Sequence, residues 1–111
     1  MKKQVVIELK GIQLAKKFAR DYYGFKRILA SDFTEHPMDK NILSLPVAYG
    51  HRLYVTKKTG TVYWGGLSIL VYQIQRAEEL GYKLYKSLLF NLVFYELQWT
   101  PKKEGVKKND F

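Results

Sequence analysis

The side chains best suited to chemistry gather in one stretch, residues 51–66, HRLYVTKKTGTVYWGG. Tyr54 and Tyr63 flank the pair Lys57-Lys58, and Arg52 stands just upstream. Aromatic rings stack on unpaired bases and cations meet phosphates, so the set suits a single-stranded nucleic acid. A second basic group, Lys16, Lys17 and Arg20, has the three-and-four spacing that shares a helical face, with Gln13 alongside. The plainer alternative is that the cations solvate a turn and a helix. The tyrosines would then pack at a half-buried sheet surface or a homodimer contact.

Three other constellations invite a catalytic reading. Asp32, Glu35, His36 and Asp39 bring oxygen and imidazole ligands close enough for a divalent metal, given a suitable loop. They match no established ligand spacing, so a solvated acidic loop is expected, with no metal and no cofactor. Glu8-Leu9-Lys10, read in a strand, resembles the E-x-K half of a restriction-nuclease-like site. That resemblance implies a metal on the Glu and phosphate stabilisation by the Lys. The acidic residue such a site draws from a preceding strand is missing, because nothing before Glu8 is acidic. His51, Arg52, Tyr54, Lys57 and Lys58 could serve a metal-free ribonuclease as base, cations and acid. The chain holds only two histidines, in different segments. No catalytic residue is assigned.

Charge points the same way as the first set. The net charge is +9, and it is uneven. Residues 1–31 carry eight Lys/Arg against two acids, whereas 32–51 carry one Lys against three acids. A concentrated positive field steers polyanions, although it also serves solubility. The 111 residues allow one domain with one core. There is no Cys, which excludes disulfides and thiolate chemistry and fits a reducing, cytoplasmic location. No secretory signal is visible. Residues 67–99 are too interrupted by charge to span a membrane, so no membrane partner is expected.

The elements that must position these groups follow from periodicity. Residues 52–56 and 61–64 read as a hairpin with Gly60 at positive φ, Leu53 facing Trp64, Tyr54 facing Tyr63 and Val55 facing Val62. Residues 4–10 alternate like a strand, and 11–23 have a helical stripe of Leu14, Ala15, Phe18, Ala19 and Tyr22 ending at Gly24. Residues 25–30 read as a weak second strand and 31–40 as a loop. Residues 41–47 read as a strand that Pro46 makes an edge or interrupted one. Residues 67–80 form a second amphipathic helix, followed by strands at 82–87 and 92–99. The rival is one long or broken helix over 67–99. The expected fold is α+β: a single two-layer domain over 1–101, with a mostly antiparallel sheet and two helices packed on one face. Residues 102–111 would be a basic, frayed tail. Phe18, Leu53, Val55, Val62, Trp64, Ile74 and Leu92 should be inside.

Two short stretches resemble known junctions. FARDYYGFKRI, residues 18–28, looks like the helix-to-strand junction of the vicinal-oxygen-chelate fold, but no metal ligands recur at the strand positions that family uses. AEELGYKLY, residues 77–85, resembles a helix-to-strand passage of acetyltransferases, without their glycine-rich phosphate loop. Such junctions recur in unrelated folds, so no family is assigned. The sequence therefore leads to a small basic protein binding DNA or RNA. Lys16, Lys17, Arg20, Arg52, Lys57 and Lys58 would sit on phosphate, with Tyr54 and Tyr63 on base and sugar. A homodimeric or protein-interaction module and a small nuclease are the alternatives.

Overall fold

In the computed structural model, which describes residues 2–66, 69–90 and 92–100, a long helix lies across a six-stranded sheet. The elements are α1 (Lys2–Tyr23), a short 3-10 turn (Ala30–Asp32), β1 (Thr34–His36), β2 (Asp39–Pro46), β3 (His51–Thr56), β4 (Val62–Gly66), α2 (Val71–Glu79), β5 (Tyr82–Leu89) and β6 (Leu92–Trp99). Every neighbouring pair is antiparallel, in the order β1-β2-β3-β4-β6-β5. This is the α+β architecture expected, with β5 and β6 as strands. No helix among the described residues is long and apolar enough to cross a membrane.

Residues 4–10 are helix, not strand, and continue directly into the predicted helix. Their β-branched alternation is overridden by docking. Gly11 shows how: a Cβ there would lie 2.6 Å from Val55 Cγ1 and 2.9 Å from the Gly60 carbonyl oxygen. The bare glycine lets α1 press onto the β3–β4 hairpin. The helix ends as read, with Gly24 at φ 77° and its N–H bonded to the Arg20 carbonyl at 3.0 Å.

The predicted strand at 25–30 is irregular chain leading into the 3-10 turn, and Ile28 and Phe33 on this segment are buried in the core. The predicted loop at 31–40 contains β1 and the start of β2. As a result β2 is interior, with β1 as the edge, and Pro46 closes its last pair opposite Arg52. The second helix begins later than predicted, at Val71, because 69 and 70 are not helical and Leu70 is its extended N-cap at φ −87°, ψ 160°; residues 67 and 68 lie outside the described residues, as do Pro101 and the tail at 102–111.

The β3–β4 hairpin has the expected register, Leu53↔Trp64, Tyr54↔Tyr63 and Val55↔Val62, with Gly60 at φ 71°. Leu53, Val55, Val62 and Trp64 meet Ala15, Phe18 and Ala19 of α1 in the main core, which Ala77 of α2 and Tyr82 of β5 complete. Ile74 is only half-buried, and Leu92, at the far end of β6, is exposed. The opposite sheet face carries a smaller cluster of Ile42, Tyr54 and Phe94. There the sheet curls until its two edge hairpins touch. His36, closing β1, stacks on Phe90 at the end of β5, with ring centroids 4.2 Å apart.

Candidate functional site

The structure divides the predicted binding residues between the two sheet faces. α1 covers the Leu53/Val55 face, so Lys16, Lys17 and Arg20 belong to that side. Tyr54 and Tyr63 project together from the other face. Tyr54 is only 9% exposed, with Phe94 edge-on at 5.3 Å, and Phe90 and His36 also against it. Tyr63 is half-buried, and burial pushes its phenol pKa up. Exposed Arg52 donates to the Ser44 hydroxyl at 2.9 Å.

The cations differ in their engagements. Lys57 Nζ lies 2.6 Å from Glu35 Oε2, and this bond holds the Glu35 carboxyl below its ordinary range while raising the Lys57 ammonium. The Lys57-Lys58 tip is held against the start of α1, where the Gln4 amide donates to the Lys57 carbonyl and Gly60 abuts Ile7. Lys58 is exposed. Lys17 pairs with Asp21 at 3.3 Å and sits 4.1 Å over the Trp99 ring. Lys16 and Arg20 have no carboxylate within ion-pair distance among the described residues.

The residues of the candidate catalytic constellations make structural contacts. Glu8 and Lys10 are on a helix, where two residues span about 200° of rotation, so they do not share the strand face an E-x-K pair needs. Asp32 Oδ2 accepts the Leu29 N–H at 2.8 Å, His36 Nδ1 accepts the Met38 N–H at 3.0 Å, and Asp39 Oδ1 accepts the Asn41 N–H at 2.9 Å. Among the described residues no three His, Asp or Glu form a metal-holding group. His51 is buried at 3% exposure. Its Nδ1 lies 2.8 Å from the Tyr23 hydroxyl, which in turn accepts the Trp64 indole N–H at 2.9 Å. Since the hydroxyl already accepts that bond, its own proton is available to Nδ1. Burial raises the Tyr23 phenol pKa well above the ordinary value.

His51 and Tyr23 form part of a cleft that the sequence reading missed. It lies between the end of α1, the β2–β3 turn and α2, with a volume of about 590 Å³. Small-molecule sites usually occupy ~300–1,000 Å³. Tyr22, Tyr23, Tyr49 and Tyr72 line it, with Arg76 at 5.6 Å over the Tyr22 ring. Gln73, also on the wall, accepts the Leu70 N–H through Oε1 at 2.8 Å, and burial raises the Tyr22 phenol pKa. The one local clue was Tyr49-Gly50 between two strands, a turn dipeptide with an unusual first residue. The rest of the wall is assembled from distant segments. In comparisons with protein-family models, curated proteins and solved structures, nothing matched the chain.

Proposed function

We propose that the protein binds nucleic acid through its phosphates, along the outward side of α1. The observation that supports this reading best is the state of Lys16 and Arg20: helix-borne cations with no carboxylate in ion-pair reach among the described residues. Exposed Lys10 and the Asp21-paired Lys17 extend the strip. From Lys10 to Arg20 a helix rises about 15 Å, enough to meet more than one phosphate of a strand. Tyr54 is too enclosed to lead the interaction, so affinity rests on charge and falls with salt. Phosphate contacts of this kind carry no sequence preference.

The test is a binding titration with single- and double-stranded DNA and RNA at two salt concentrations. Changing Lys16→Gln and Arg20→Gln together should weaken all sequences alike and lower the salt slope by about two, one per phosphate contact. Unchanged affinity in the folded double variant would overturn the proposal. A second reading, self-association, is favoured by Val5, Val6 and Leu9, which are 57%, 49% and 47% exposed on the same helix. It predicts a dimer in sedimentation that Leu9→Ser dissolves while nucleic-acid affinity stays level.

A further inference from the structure

The cleft carries an inference independent of the α1 cations. Its mouth is built at a conformational cost. Ala48–His51 is a four-residue turn within the β2–β3 connection, closed by the His51 N–H on the Ala48 carbonyl at 3.1 Å, with Tyr49 at φ 62° and Gly50 at φ 76°. Positive φ at both central residues is the type I′ pattern, which favours Asn or Gly at the first position. A bulky tyrosine there is strained. Its ring gains little burial in return, being 78% exposed with the Tyr23 ring 6.4 Å away. Strain retained with little packing benefit is a mark of functional positions. On α2, Tyr72 repeats the exposure at 65%. Two largely uncovered rings therefore border one concave space, and a flat ligand would cover both.

The remaining walls define the rest of that ligand. Arg76 lines the cleft without a carboxylate in ion-pair reach among the described residues, so its guanidinium is suited to an anionic group. The Tyr22 ring and the Gln73 side chain add polar groups at the wall, which a heterocycle could use and a plain hydrocarbon ring could not. We infer that the cleft binds a planar nitrogen heterocycle carrying a phosphate, a nucleoside monophosphate, with the ring against Tyr49 and Tyr72 and the phosphate on Arg76. The same chemistry is presented by a free mononucleotide and by the unpaired, 5′-phosphorylated end of a strand.

Calorimetric titration of the intact protein with ribonucleoside 5′-monophosphates, the corresponding uncharged nucleosides and inorganic phosphate tests this. The monophosphates should bind more tightly than either fragment. Arg76→Gln should reduce monophosphate affinity to the level of the nucleoside and leave the nucleoside unchanged. Tyr72→Ala and Tyr49→Gly should each weaken both ligands about tenfold, the scale of one lost stacking contact. Tyr49→Gly suits the left-handed backbone, so its thermal midpoint should hold or rise while binding falls. A 5′-phosphorylated single strand that binds more tightly than the monophosphate, with the same Arg76 dependence, identifies a strand end as the source; equal affinity identifies the free nucleotide. The inference is overturned if no monophosphate binds at millimolar concentration, if inorganic phosphate binds equally well, or if Tyr49→Gly leaves affinity unchanged. The Lys16→Gln/Arg20→Gln protein should keep full monophosphate affinity, and a loss there would move the phosphate to α1 and also reject the cleft.

Discussion

Trp64 and Tyr54 belong to the same β-ribbon and point in opposite directions, yet both are buried by different means. Trp64 is fully covered, with Phe18 of α1 at 4.9 Å between ring centroids. Among the described residues no helix covers Tyr54, which is closed in by Phe94, Phe90 and His36. An antiparallel ribbon with one apolar face is ordinarily wet on the other. Here the curl of the sheet substitutes two hairpin ends for a second layer. One face is a core built under a helix, and the other is a small cluster under two hairpin ends.

The contrast is tested first by truncation. Phe18→Ala should cost about 3–5 kcal/mol, the usual range for a fully buried ring that cannot be replaced by collapse. Phe94→Ala removes an almost equally buried ring, but its neighbours form a small cluster, so the site can close and the loss should be smaller. Denaturant unfolding of both variants decides. Equal losses would make the outer cluster a second core.

Glycine substitutions sharpen the same point. At Gly11 a Cβ meets Val55 Cγ1 and the Gly60 backbone, between a helix and a strand already in contact. Gly11→Ala should destabilise by about 1–3 kcal/mol through overpacking, against a helix-propensity gain of up to ~1 kcal/mol. At Gly65 a Cβ would lie 2.1 Å from the Phe94 ring and would have to displace that ring within the small outer cluster. Gly65→Ala should therefore cost less and leave Tyr54 more open to a soluble quencher. A stabilising Gly11→Ala would show that α1 does not press on the hairpin as tightly as these distances require.

What the sequence disclosed follows the same division between local and distant causes. The hairpin register was legible because β-branched and aromatic alternation and a single glycine specify it within a dozen residues. The first half of α1 was not, because Val5, Val6, Ile7 and Leu9 alternate like a strand and the deciding contact is with Gly60, far along the chain. Strand β1 was hidden by its polarity, as suits an edge. Among the candidate site residues, the position of each cation was readable but its engagement was not. Lys57 finds Glu35 22 residues away. The Lys17–Asp21 pair, four apart on a helix, is the exception, since its spacing alone indicates it. The four tyrosines of the cleft come from α1, the β2–β3 turn and α2, so only folding places them together.

Alkaline titration gives the last and most graded test of the two faces. On the helix face, burial raises the phenol pKa values of Tyr82 and Tyr23 well above the ordinary 10.0. Tyr82 is 1% exposed and donates to Asp21 Oδ2 at 2.8 Å, so ionising it would set a phenolate beside a carboxylate. In the unfolded chain the same phenols ionise near pH 10. Below that pH their contribution to stability is complete. Above it the unfolded state sheds protons that the folded state keeps, and stability falls by ~1.4 kcal/mol per pH unit for each such phenol until the folded group ionises too. Tyr82→Phe should weaken the fold at neutral pH by losing its hydrogen bond, yet flatten the alkaline slope by one phenol's share. On the outer face, Tyr63 is raised by burial but only half-enclosed, so Tyr63→Phe should change the slope much less. If Tyr63→Phe flattened the curve as much as Tyr82→Phe, the two faces would exclude water equally, and the difference between a helix-built core and a curled sheet would lose its energetic meaning.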